Sequence, residues 1–251
     1  MRIHPLALAI RHAIPRRKRK ASSDIAEDAR RAKSSIETAM HSASSVRFPP
    51  RTERLDTTIK LLRASCDHAR ALTALLEINY QDFGGSAMAL HRSQIEQFLR
   101  GAFFSDPATD GELSYFLQHD EMPKRPCGNL GLRRISANDL AVIAADFLKL
   151  NPRDKLISMV RNAWSPLCGM VHGGRAVMAT YQDGDEQIGF QADISPLRQV
   201  LDNATVIANF SLTILVTLSA NSAQEQSELL RPTSEEFANY MLHIASRSDC
   251  H

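Results

Sequence analysis

The sequence predicts an all-α protein, a helical bundle built around one long central helix. Three observations carry this. Apolar residues recur at three and four over most of the chain, the segment 203–224 holds no charged side chain, and glycine and proline cluster at a few breaks. Only one stretch, near 176–191, has strand character, so a small β-hairpin is expected there.

At 251 residues and 27.9 kDa the chain can bury a sizeable core. Hydrophobic residues at 43% and charged residues at 23% exclude disordered and collagen-like classes, and aromatics at 6% argue against a surface that stacks on bases. The net charge of +2 is divided unevenly. Residues 1–20 carry seven basic side chains and no acid, which leaves 23 basic against 28 acidic residues elsewhere. The basic signal lies in this arm, and the body has no net attraction for phosphates. Four cysteines without a C-x-x-C pair fit a reduced, cytoplasmic protein better than a disulfide framework or zinc site, and no cofactor or metal is expected.

In chain order, residues 1–21 read as a basic arm without fixed structure. A targeting segment, and an arm that touches nucleic acid or an anionic membrane surface, are the alternatives. A first helix is expected over 22–48, capped by Ser22 or Ser23 and ended by Ser42–Ser45 and Pro49-Pro50. The main helical domain then spans 51–246. Leu55, Ile59, Leu62, Cys66, Ala69, Leu72 and Leu76 form one stripe of a helix over about 52–80, with Gly84-Gly85 as its stop.

The next helix, 86–104, sets Arg92, Glu96 and Arg100 in an i, i+4, i+8 row beside its apolar face. This is a solvated charged face or a polar seam against another helix. Residues 107–134 read as a long surface connection around a short helix at 111–118, its length making a lid or partner-binding loop the alternative to mere connection. A helix begins near Asn138 and ends before Asn151-Pro152. Another begins near Arg153 and is expected to kink at Ser165-Pro166. His172 falls in its last turn ahead of Gly173-Gly174, which permit a left-handed cap. Val177 to Tyr181 and Ile188 to Phe190 supply the hairpin. A helix is expected from Ser195 to about Ser219, and the charge-free stretch 203–224 is about long enough to cross a bilayer, but its many Asn, Ser and Thr residues favour a buried central helix. A last helix is expected over 234–245.

The segments HRSQIEQFLRGAFF (91–104) and RNAWSPLCGMVHGG (161–174), in this order on a helical chain, resemble an uncharacterised bacterial HEPN-like all-helical family over about residues 52–220. Many HEPN domains are dimeric RNases of toxin–antitoxin and phage-defence systems. The resemblance implies Arg161, Asn162 and His172 as catalytic candidates, His172 or Arg161 activating a ribose 2′-hydroxyl and the arginine stabilising developing charge. Here Arg161 and His172 are eleven residues apart with Pro166 between them, a longer spacing than the family's motif. The bland alternative makes His172 a capping or buried histidine on a carboxylate such as Glu96, with Arg161 in the same seam.

Two functions follow as expectations. One is a HEPN-like module that dimerises or binds RNA, a nucleotide or a protein, in a bacterial stress or defence context. The other is a metal-independent endoribonuclease acting as a toxin or defence effector.

Overall fold

The computed structural model describes residues 16–126, 131–184, 187–191 and 193–248. Among these residues the chain forms eight helices and two short antiparallel hairpins. The helices are α1 (Arg16–Ser44), α2 (Glu53–Ser105), α3 (Asp110–His119), α4 (Ala137–Phe147), α5 (Asp154–Val171), α6 (Arg175–Thr180), α7 (Ile194–Thr217) and α8 (Ala223–Ser248). One hairpin pairs β1 (Lys124–Pro126) with β2 (Leu132–Arg134), and the other pairs β3 (Tyr181–Gly184) with β4 (Gln187–Phe190).

Helix α1 begins at Arg16, inside the stretch expected to be an arm, because no glycine or proline interrupts the sequence between Arg16 and Pro49. The remainder of that arm, 1–15, lies outside the described residues. Ile25, Ala29, Ala32 and Ile36 recur at four, three and four and are fully buried, so α1 is part of the bundle. Lys33 donates to Glu77 at 3.0 Å across the α1–α2 contact.

Helix α2 does not stop at Gly84-Gly85. Its only non-helical residue is Asn79 (φ −166°, ψ 106°), whose Oδ1 accepts from the Gln81 amide at 3.0 Å and so caps the second half as a new helix. The glycines instead let the β3–β4 hairpin approach. A Cβ on Gly84 would overlap the Phe190 ring, and one on Gly85 would overlap the Tyr181 hydroxyl.

Helices α3 and α4 start with reciprocal caps, Thr109 with Glu112 and Ser136 with Asp139. The connection expected to be a plain surface loop contains the β1–β2 hairpin, in which Lys124 pairs with Arg134. Helix α5 continues through Pro166 to Val171. Pro166 is exposed, so the Asn162 carbonyl that loses its donor remains open to water and the helix is not broken. At its end Gly173 takes φ +68°, and the Gly174 amide donates to the Gly169 carbonyl at 2.8 Å. The 176–180 part of the expected hairpin is helical, in α6. The strands begin only at Tyr181, with Tyr181 opposite Phe190.

Helix α7 packs against α1, α2 and α8. Among the described residues it is the one helix long and apolar enough to cross a membrane, and much of it lies inside the bundle. Its hydroxyls are satisfied locally: Thr205 donates to the Leu201 carbonyl and Ser211 to the Ile207 carbonyl, both at 2.9 Å. This satisfaction lets a helix rich in Ser and Thr sit in the core. Helix α8 is longer than expected, starting at Ala223 and including Pro232. A satellite cluster of Ala39, Val46, Leu212 and Val216 lies beneath its first turns.

Candidate functional site

Helices α2 and α5 carry the two motifs, and they meet. Arg92 and Arg100 both donate to Glu96, so the row closes on itself. Arg92 also places its guanidinium carbon 3.5 Å from the centroid of the Trp164 ring on α5, and its Nε donates toward Cys168 Sγ at 3.3 Å. The three side chains are largely covered, which makes the row a seam between helices. Glu96 is therefore occupied by its own helix and pairs with neither Arg161 nor His172.

Arg161, Asn162 and His172 are all exposed. Because α5 is unbroken, eleven residues return to nearly the same face but advance about 16 Å along the axis, at 1.5 Å per residue. Within one chain Arg161 and His172 share a solvent-facing stripe without meeting. His172 is the C-cap of α5 and is exposed, so of the two bland readings, capping and burial, burial does not hold.

Two hollows flank the seam. A cleft of about 320 Å³ is lined by Glu96, Arg100, Glu121, Arg134, Leu140 and Trp164. Its arginines are already matched, Arg100 to Glu96 and Arg134 to Glu121 at 2.7 Å, so it offers no surplus positive charge to a phosphate. The second, also about 320 Å³, lies between α2, α5, α6 and α7 and is mostly apolar. Asn162 is on its lip, and His91 is in its wall.

A third hollow, beside α7 and α8, adjoins a charge network. Asp28 on α1 is almost completely buried. It takes Arg198 Nε at 2.9 Å, His243 Nε2 at 2.6 Å and Arg247 Nη1 at 3.0 Å. Arg247 also reaches Asp202, which accepts from the Tyr240 hydroxyl at 2.6 Å. These partners are committed to one another and fasten α1, α7 and α8 together. Burial, with the Asp202 carboxylate beside it, pushes the Tyr240 phenol well above its ordinary range, so it stays a donor.

A model for a family of unknown function, DUF6988, matches residues 62–243. The chain belongs to this family. No curated protein and no solved structure matches it. The DUF6988 match takes in both motifs, both hollows beside the seam and the whole of α7. Asp28 lies before it, while Arg198 and His243, which hold Asp28, lie within it.

Within the DUF6988 match, the first motif opens on His91, to which its spacing assigned no role, and the Arg198, Asp202, Tyr240 and His243 network likewise left no motif in the sequence. A signal for His91 was present: it occupies a position of the apolar stripe Met88, His91, Ile95, Phe98, where an imidazole is out of pattern. It is fully buried, and burial pushes its pKa down to about 4. Cys66, also buried, has its thiol pushed up to about 12 by the same cause and is a core residue without nucleophilic character. Cys127 and Cys250 lie outside the described residues. No group of three metal-ligating side chains occurs among the described ones.

Proposed function

We propose that this DUF6988 member is a HEPN-like helical binding module, one that dimerises or engages an RNA, nucleotide or protein partner in a bacterial stress or defence context. The observation behind this is the state of the seam. Arg92, Glu96 and Arg100 satisfy one another against Trp164, while Arg161 and His172 stand about 16 Å apart along α5. A general base and the cation that stabilises the adjacent phosphate must reach one substrate together, and Arg161 and His172 of one chain do not meet. The exposed stripe of Lys155, Ser158, Arg161, Ser165 and His172 is the surface such a module would present.

A metal-independent endoribonuclease is the second reading. What favours it is that Arg161 and His172 share one exposed face, where a second copy could complete a site. Induced expression of wild type, Arg161→Ala and His172→Ala, with RNA integrity scored in the same cells, separates the two. The module reading expects intact RNA in all three. RNA cleavage by wild type that is lost in both soluble variants would replace it with the nuclease.

A further inference from the structure

The first turns of α7 carry a polar stripe. Ser195, Arg198, Gln199, Asp202 and Asn203 recur at three and four on one face, and they line the hollow of about 650 Å³ beside α8, to which Ile194 and Ile244 add apolar surface. A hollow of this size holds a whole small ligand. Every residue of the stripe is exposed or half-buried, so a ligand can reach it.

Much of the hydrogen-bonding capacity of this stripe is unspent. The Gln199 and Asn203 carboxamides have no partner among the described residues. Asp202 accepts from Tyr240 and Arg247 on Oδ1 alone, which leaves Oδ2 without a donor. Arg198 gives its Nε to Asp28, and its terminal nitrogens make no hydrogen bond among the described residues. Together the four side chains offer donors and acceptors on adjacent helical turns. Two neighbouring hydroxyls require that mixture, because each hydroxyl both gives and takes a hydrogen bond. Charge narrows the ligand further. Arg198 and Arg247 are offset by Asp28 and Asp202, and Asp193 adds another carboxylate, so no surplus positive charge is left for a phosphate. The guanidiniums in turn oppose a cation.

We propose that this hollow binds a neutral ring bearing two adjacent hydroxyls, held by Arg198, Gln199, Asp202 and Asn203, with the C–H face of the ring against Ile194 and Ile244. Free sugars and ribonucleosides share this vicinal diol. Neither Arg161 nor His172 lines the hollow, so the assignment stands apart from both readings of the function above.

Ligand-observed NMR titration of the full chain tests it with two matched pairs, methyl β-D-ribofuranoside beside its 2-deoxy counterpart, and adenosine beside 2′-deoxyadenosine. In at least one pair the diol should bind at one saturable site about tenfold more tightly than the deoxy form, the value of roughly one hydrogen bond. A preference in the ribofuranoside pair assigns the site to a free sugar, and a preference in the adenosine pair alone assigns it to a ribonucleoside. The double variant Gln199→Ala/Asn203→Ala should lose the preference. Asn162→Ala should keep it, since Asn162 lines the neighbouring apolar hollow and not this one. No saturable binding of either diol, equal affinity for diol and deoxy forms, or a preference that survives the double variant would each overturn the assignment, as would its loss in Asn162→Ala. Should the double variant fail to fold, Gln199→Ala alone decides, because Gln199 is exposed.

Discussion

Arg92 sits over Trp164 with its guanidinium carbon 3.5 Å from the ring centroid, and the same guanidinium donates to Glu96 one turn along its own helix. One side chain thus joins a cation–π contact to an ion pair in a half-buried seam, and it clips the second half of α2 to the middle of α5. The only tryptophan of the chain is the ring that this guanidinium covers.

Arg92→Lys keeps the charge and loses the planar group. A stability loss of about 1–2 kcal/mol is expected, since lysine neither stacks nor forks in the same way. Urea unfolding followed by Trp164 emission measures it directly, and a change below about 0.3 kcal/mol would mean the stacking is idle.

Asp28 anchors the other side of the bundle. Asp28→Asn leaves Arg198 and Arg247 facing each other without their shared carboxylate. Breaking a buried ion network from one side costs about 3–5 kcal/mol. Denaturant unfolding should show a loss in that range, and hydrogen exchange should show the end of α8 opening first. A loss below about 1 kcal/mol would show that the three basic side chains find water instead.

The paired glycines of α2 should behave in opposite ways. Gly→Ala inside a helix ordinarily stabilises by about 0.5–1 kcal/mol. At Gly84 the new methyl meets the buried Phe190 ring, and a net loss of about 1–3 kcal/mol is expected. At Gly85 it meets the tip of the partly exposed Tyr181, which can swing aside, so Gly85→Ala should be neutral or stabilising. Thermal unfolding of the two single variants makes the comparison. Equal effects would contradict the close approach of the hairpin at Gly84.

His91 makes stability depend on pH in a defined direction. Folding lowers its pKa from 6.5 to about 4. Between those values the unfolded chain holds a proton that the folded chain does not, so stability rises with pH across that window and falls on acidification through it. The loss contributed by this group is up to about 3 kcal/mol at pH 4. Unfolding free energies of wild type and His91→Phe at pH 7 and pH 4.5 should differ in slope, wild type losing more. Parallel slopes would mean that His91 takes up its proton in the folded protein just as it does in the unfolded chain.

The helices were legible because their signals are local. The apolar stripe of α2 and the seam row Arg92, Glu96, Arg100 depend on spacings of three and four within one helix. The breaks were less legible. Gly84-Gly85 looked like a stop and Pro166 like a kink or restart, yet a glycine can serve a neighbour's approach, and a proline on an exposed face removes one hydrogen bond that water can replace. The β1–β2 hairpin was missed because three-residue strands leave no periodic trace.

By itself the sequence determined the all-α class, the apolar stripe of α2, and a charge-free run suited to a central helix, since each is set within a few residues of chain. The tertiary structure alone decided that Glu96 is consumed by its own arginines, that Arg161 and His172 face solvent, that Asp28 meets residues 170 and 215 positions away, and that His91 borders a cavity. Those outcomes depend on which helix faces reach one another, and contacts between distant segments leave no spacing in the chain from which to infer them.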